Sequence, residues 1–165
     1  MSAIRPPRRP LPVIGWREWV SLPDLGIAWI HAKVDTGARS SAIHAFDVEP
    51  FDAPDGRRLV RFKVHPIQRT TRETVEVVAE VKDERWVKST SGHRDCRIVV
   101  EAHVALGGDQ WPIELTLARR DVMGFRMLLG RQAIRGRFFV NPGRSHRSGL
   151  PEGQRRASKR PRPTP

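Results

Sequence analysis

Lys33-Val34-Asp35-Thr36-Gly37-Ala38 is the stretch of this sequence that decides the fold. It follows Ala28-Trp29-Ile30-His31-Ala32, in which small apolar residues alternate with larger ones, as in a strand with one face on a core. Together the two segments predict a buried strand that ends by delivering the Asp35 carboxylate into a tight turn built from a hydroxyl residue and a glycine.

The Asp-Thr-Gly tripeptide has two interpretations. In the first, Asp35, Thr36 and Gly37 only favour a turn after a strand. In the second, Asp35 is one half of an aspartic-peptidase dyad, in which two adjacent carboxylates share a proton so that one acts as base and the other as acid. The tripeptide occurs once in the chain, so the second interpretation requires a second copy of the chain to supply the other carboxylate.

A downstream element favours the peptidase interpretation. Met127-Leu128-Leu129-Gly130-Arg131 is an apolar strand that ends in glycine. A strand with Asp-Thr-Gly followed far downstream by such an element is the layout of one retropepsin domain, and Leu129-Gly130 is then expected to pack beneath the Asp35 turn.

Further strings occur in order along the chain: Val13-Ile14-Gly15-Trp16-Arg17-Glu18-Trp19-Val20, Ala38-Arg39-Ser40-Ser41-Ala42-Ile43-His44-Ala45, Val60-Arg61-Phe62-Lys63-Val64-His65-Pro66, Ser91-Gly92-His93-Arg94 and Trp111-Pro112-Ile113-Glu114-Leu115-Thr116-Leu117. With these strings the chain resembles, from Val13 to Ser148, a retropepsin-like aspartic peptidase family. That family bears the name ATP-dependent zinc protease and accompanies RimK-type ATP-grasp ligases.

The strand pattern agrees with the fold that this resemblance implies. Apolar residues recur with a period of two, and glycine-containing turn signals separate the segments. We therefore predict an all-β fold, a single retropepsin-like (acid protease) closed β-barrel with one short helix over Arg131 to Arg135. The longest alternations are Val60, Phe62 and Val64; Cys96, Ile98, Val100, Ala102 and Val104; and Ile113, Leu115 and Leu117.

The resemblance implies that Asp35, Thr36 and Gly37 are catalytic, in a homodimer. Asp35 and its symmetry mate would activate one water for attack on a peptide amide. Thr36 would brace the dyad across the interface, and the backbone N–H of Gly37 would hold a carboxylate in place. A flap between Val60 and Gly92 would close over the substrate.

The associated ligases add glutamates, which implies a peptide or protein substrate, with a glutamate tail as one candidate, and a RimK-type ATP-grasp ligase as a candidate partner. A carboxylate-rich ligand needs Arg or Lys partners. We predict that Ala38, Arg39 and Arg94 bind substrate. Arg39 could instead pair with the Asp35 dyad and lower the pH optimum, and a solvated strand face is the third interpretation.

The sequence gives little reason to expect zinc or ATP, which the family's name includes. It has no His-Glu-x-x-His motif and no phosphate-binding Gly-rich loop. The tightest pair of metal-ligand types is His93 with Cys96, and a site that joins His44, His65 and His93 in space stays open. The prediction is that the protein uses neither a metal nor another cofactor.

Charge divides the chain into three parts. The net charge is +12, of which residues 1–10 carry +3 and residues 141–165 carry +6. We predict a flexible Pro/Arg-rich N-terminus over 1–12, a barrel over 13–140 and a basic disordered tail over 141–165. The tail would bind nucleic acid weakly or serve only for solubility.

Two other functions remain open: a non-catalytic peptide-binding or ligase-regulating module on the same fold, and a basic RNA- or ribosome-associated adaptor. The single Cys96 favours a reducing compartment and is expected to be a buried structural thiol. The sequence has no apolar run long enough for a membrane span and no secretory signal, so a cytoplasmic location without membrane attachment is expected.

Overall fold

The computed structural model describes residues 9–67, 72–88, 91–119 and 124–150. Strands dominate the described residues, and the only α-helix among them is a single turn. The elements are β1 Val13–Gly15, β2 Arg17–Leu22, a 3-10 turn Pro23–Leu25, β3 Ile27–Asp35, β4 Ser41–His44, β5 Phe46–Asp52, β6 Arg58–Val64, β7 Val75–Lys88, β8 Arg94–Leu106, β9 Asp109–Ala118, β10 Met127–Gly130, α1 Arg131–Ile134 and β11 Phe139–Asn141.

Six of these strands close into a barrel. They follow one another around the ring in the order β2, β3, β10, β4, β9 and β8, and β2 pairs with β8 through Ser21 and Ala105 to close it. The strands β7, β6 and β5 continue antiparallel from β8 as an extension of the same sheet. The predictions of a closed all-β barrel and of a short helix after Gly130 are confirmed.

On β6 and β9 the period-two alternation puts one face of the strand into the core. Val60, Phe62 and Val64 on β6 are fully buried, and Ile113, Leu115 and Leu117 on β9 are at most 5 % exposed. Each buried aliphatic side chain of this size contributes about 1.5–3 kcal/mol to stability. Apolar burial on alternate positions is therefore what holds the barrel strands in register.

The hairpin between β8 and β9 turns through two glycines with positive φ, Gly107 at 63° and Gly108 at 88°. A tight turn with φ above zero at both central residues matches the right-handed twist of the strands it joins. The turn at Gly107 and Gly108 thus fixes the register of the two longest strands of the barrel wall.

The prediction ends the barrel at residue 140, and hydrogen bonds to the barrel strands continue beyond that residue. Arg144 O accepts a hydrogen bond from Trp16 N (2.8 Å), and His146 N donates one to Arg17 O (3.0 Å), so the segment after β11 lies along the barrel. Backbone hydrogen bonds rather than apolar side chains hold this segment, which explains why its composition suggested disorder. The predicted disorder of 151–165 lies outside the described residues.

The first described residues, directly before and within β1, contact β11. Of the predicted flexible N-terminus, residues 1–8 lie outside the described residues, and Pro12 O accepts a hydrogen bond from Phe139 N (2.9 Å). Strand β1 then pairs in parallel with β11, with Val13 opposite Phe139. No helix in the described part of the chain is long and apolar enough to cross a bilayer.

Candidate active site

Asp35 is the last residue of β3, and its half-buried carboxylate is held by the turn that follows it. Oδ1 accepts hydrogen bonds from the backbone N–H groups of Gly37 (3.0 Å) and Ala38 (3.1 Å). Oδ2 accepts none from the described residues. One oxygen is therefore fixed by the backbone, and the other is left to contact a water, a substrate or a second carboxylate.

The N-terminal end of α1 supports the same turn from below. Arg131 N donates to Ala38 O (2.7 Å) and Gln132 N donates to Arg39 O (3.0 Å). The Arg131 guanidinium also donates to the backbone oxygen of Thr36 (3.2 Å). Three hydrogen bonds from α1 thus constrain the backbone on both sides of Gly37.

Strand β10 places Gly130 directly beside Asp35, as expected for Leu129-Gly130. The two strands run in parallel, with Leu129 opposite Val34 and Gly130 opposite Asp35. A Cβ on Gly130 would lie 2.4 Å from the carbonyl carbon and oxygen of Ser40. Only glycine allows the backbone of β10 to approach the chain after the turn this closely.

Two buried side chains fix β10 and α1 in place. Gly130 N donates to the hydroxyl of Ser41, which is 2 % exposed. The indole N–H of Trp111, itself 4 % exposed, donates to Ala133 O on α1 (3.0 Å). The Trp111 side chain thus anchors the helix that supports the Asp35 turn.

The residues predicted for the site do not all lie together. Asp35, Thr36, Gly37, Ala38 and Arg39 are consecutive in one turn. The Arg39 side chain is exposed and makes no ion pair with a carboxylate, Asp35 included, among the described residues.

Arg94 lies elsewhere. It is the exposed first residue of β8, opposite Lys88 of β7, and it lies two residues beyond the Val60 to Gly92 region predicted to form the flap. No contact among the described residues joins it to the Asp35 turn.

The predicted binding role of Arg94 thus depends on the hairpin approaching the turn when substrate is present. The role of Thr36 across an interface concerns a second copy of the chain, and it stays a prediction.

Sequence reasoning did not identify the supporting residues Arg131, Gln132 and Ser41. Their signals were weak. Arg131 is only the last residue of the apolar string that ends in Gly130, and Ser41 is only one member of the string that follows the turn. The contacts of Arg131 and Gln132 are made mostly by the backbone, which carries no residue-type signature.

The described residues do not fit the zinc that the family name implies. No group of three or more His, Cys, Asp or Glu among the described residues could hold a metal ion. The ring of Phe46 stacks on His44 (6.4 Å between centroids) and on His65 (4.4 Å), and so occupies the space in which the two imidazoles would have to converge. The His44, His65 and His93 site is therefore not formed.

Cys96 is not the buried thiol that its alternation predicted. It is half-buried and lines a groove of about 500 Å³ between β5 and the β7–β8 hairpin, with the exposed Trp86 opposite it on β7. Ile98 and Val100, in the same phase, are buried. The apolar alternation on β8 extends beyond the part of the strand that belongs to the barrel. Cys96 therefore fits the alternating pattern but lies outside the buried core.

The thiol is also poorly suited to be a nucleophile. Burial, and then the negative charges of Glu84 and Asp95, raise the pKa of Cys96. A raised pKa keeps the thiol protonated near neutral pH, whereas the thiolate is the reactive form.

Comparison with known proteins gives a consistent picture. Residues 13–148 match the RimB-like family, described as "Retropepsin-like aspartic endopeptidase RimB". That description names neither zinc nor ATP.

Curated relatives are named "Probable alpha-L-glutamate ligase". One from Parasynechococcus marenigrum is 45% identical over 137 residues, which is 83% of this chain and 29% of the relative. Another from Desulfotalea psychrophila is 45% identical over 130 residues, which is 79% of this chain and 28% of the relative. The chain therefore spans less than a third of the length of these relatives.

A solved structure has the same architecture. It is a Legionella pneumophila protein of unknown function, with a TM-score of 0.69 and 27% identity, and the match covers 83% of this chain and 98% of that one.

Proposed function

The chain belongs to the RimB-like family of retropepsin-like aspartic endopeptidases, and from that premise we propose that it is a homodimeric aspartic peptidase that hydrolyses peptide amide bonds. The observation that carries the proposal is the Asp35 carboxylate. It stands at the end of a barrel strand, with Oδ1 fixed by two backbone N–H groups and Oδ2 without a partner among the described residues. One such carboxylate is half of the machinery, so a second chain supplies the other half.

The mechanism follows from two carboxylates that share one proton. The ionised Asp35 takes a proton from a water held between the two chains as that water attacks the scissile carbonyl carbon. The protonated partner carboxyl donates its proton to the developing oxyanion, and a proton then passes to the leaving amine as the C–N bond breaks. The N–H groups of Gly37 and Ala38 keep Oδ1 oriented throughout.

We propose a glutamate-tailed peptide or protein as the substrate. The support is the relatives, which carry a chain like this one within proteins named as glutamate ligases. Hydrolysis of the bond that such a ligase forms would make the two activities opposed, and a separate ATP-grasp ligase is then the natural partner.

The same relatives also support a second candidate, a non-catalytic module that binds the ligase or its product. The substitution Asp35→Asn separates the two. It keeps the size of the side chain and the acceptor for Gly37 N and Ala38 N but removes the charge and the shared proton.

We expect Asp35→Asn to lower the rate of cleavage of a peptide ending in several glutamates by at least about a hundredfold, while sedimentation shows the same dimer as the unsubstituted protein. Released glutamate is measured by mass spectrometry. Asp109→Asn, at an exposed carboxylate that begins β9, is the matched control and should keep full activity. Undiminished turnover in Asp35→Asn, or a fully active preparation that is strictly monomeric, would contradict the peptidase.

A further inference from the structure

A polar cavity of about 400 Å³ adjoins the Asp35 turn. Its lining is polar throughout: Arg39, Ser40, Arg85, Glu114 and Gln132. The volume falls within the range of small-ligand pockets, about 300–1,000 Å³. The cavity and the Asp35 turn share one piece of backbone, since Gln132 N donates to Arg39 O (3.0 Å) and so fixes one wall directly after the turn.

The second wall is held by ion pairs. Arg85 Nε contacts Asp83 Oδ2 (2.9 Å), and Arg85 Nη2 contacts Glu114 Oε2 (3.2 Å). These hydrogen bonds raise the pKa of the Arg85 guanidinium, so it stays fully charged. Lys82 Nζ contacts the other oxygen of Glu114 (3.5 Å), and Glu114 is therefore engaged by two cations.

The two guanidinium groups of the lining, Arg39 and Arg85, differ in whether they already pair with a carboxylate. Arg85 is already paired, whereas Arg39 makes no ion pair among the described residues. Two carboxylates, Glu114 in the lining and Asp83 behind it, pair with Arg85, so the charge without a carboxylate partner among the described residues is that of Arg39. A guanidinium with open donors, beside a hydroxyl and an amide that donate hydrogen bonds, is suited to a carboxylate.

We propose that this cavity is a specificity subsite that binds a carboxylate side chain of the substrate next to the scissile amide. The inference rests on the proposed peptidase function and extends it, because it assigns the preference for acidic substrates to particular residues. Arg39 is the anchor, Ser40 and Gln132 complete the hydrogen bonds, and Glu114 limits affinity by occupying Arg85. A carboxylate bound here lies beside the turn that carries Asp35.

The test measures binding without cleavage, so it does not depend on the peptidase activity. The full chain carrying Asp35→Asn is titrated with tetraglutamate and with tetraglutamine by isothermal titration calorimetry. We expect tetraglutamate to bind and tetraglutamine to bind at least tenfold more weakly. Adding Arg39→Gln should weaken tetraglutamate binding by about tenfold, the size expected for a lost charge-assisted hydrogen bond.

The matched control is Arg97→Gln. Arg97 is also exposed and without a carboxylate partner among the described residues, but it lines the other groove. Both variants change the net charge equally and keep the basic C-terminal residues, so their difference isolates the cavity. Glu114→Gln should tighten binding severalfold, because it removes the negative charge of the lining and the ion pair at Arg85 Nη2, while Asp83 still pairs with Nε. Circular dichroism confirms that each variant is folded.

Several results would overturn the inference: no binding of tetraglutamate, equal binding of both peptides, or equal weakening by Arg39→Gln and Arg97→Gln. The peptidase proposal would stand in each case if Asp35→Asn still abolished cleavage. Conversely, Arg39-dependent binding in a protein that cleaves nothing would support the subsite and contradict the peptidase.

Discussion

Gly130 illustrates how a single residue can control the geometry of the Asp35 turn. Its N–H is bound by the Ser41 hydroxyl, and its missing Cβ leaves room for the backbone of Ser40. Any side chain here has to displace backbone, not a flexible side-chain end. The same displacement would move the turn that positions Asp35.

We therefore expect Gly130→Ala to destabilise the protein by about 1–3 kcal/mol, as overpacking of a rigid site does, and to lower the rate of peptide cleavage. Urea unfolding measures the first effect. Gly143→Ala is the matched control, since its Cβ would meet only the Asn141 side-chain oxygen at 3.3 Å. Equal stability of the two variants would show that β10 can shift without cost.

Strands could be predicted from the sequence because burial on alternate positions requires apolar residues at those positions. Val60, Phe62 and Val64 show this alternation, and their strand was predicted correctly. The turn at Asp35 was readable for a similar reason, since it needs particular residue types. Contacts made by backbone atoms do not require particular residue types. The hydrogen bonds from α1 to the Asp35 turn and the packing of residues 144–148 were therefore not predicted.

A buried carboxylate joins β2 to the segment that follows β11. Glu18 is fully buried, and its oxygens accept hydrogen bonds from the N–H groups of Gly15 (2.8 Å), Arg147 (2.8 Å) and Ser148 (3.3 Å). The Glu18 carboxylate thus accepts the backbone hydrogen bonds of Arg147 and Ser148, as the carbonyl groups of a neighbouring strand would.

Glu18→Gln keeps the shape of the side chain but replaces one of its two acceptor oxygens by an amide N–H₂, which faces a backbone N–H of this segment. We expect a loss of about 1–3 kcal/mol in the free energy of unfolding, the cost of buried donors left without acceptors. Hydrogen exchange should quicken first at Arg147 and Ser148. Glu49→Gln serves as control, because the exposed Glu49 reaches Arg61 only at 4.0 Å and such a pair is worth about 0–1 kcal/mol. An unchanged stability in Glu18→Gln would assign no structural role to the buried charge.

The stability of the whole molecule should depend on pH through a histidine pair. His31 Nε2 and His146 Nε2 lie 2.9 Å apart, so at least one of the two rings must be neutral. Burial, and then the charge of Arg17, lower the pKa of His146, while the charge of Glu18 acts in the opposite direction.

The lowered pKa sets the direction of the effect. In the unfolded chain His146 takes up a proton near its ordinary pKa of 6.5, whereas in the folded protein it does so only at lower pH. The unfolded state therefore binds more protons in this window, and stability falls as the pH drops through about 6.5.

Urea unfolding of the unsubstituted protein at about pH 7.5 and 5.5 should show this loss, and His146→Gln should show a smaller one. The same loss in both proteins would assign the acid sensitivity to other groups.

The parallel pairing of β1 with β11 has a consequence for how the domain can be used. Among the described residues the first and last strands are neighbours, and Gly15 and Arg147 donate to the same Glu18 oxygen, so the described chain enters and leaves the barrel on one side. A unit with adjoining entry and exit can be attached to a larger protein, or inserted into one of its loops, without pulling on its own backbone. Such geometry suits an architecture that recurs as less than a third of a longer polypeptide.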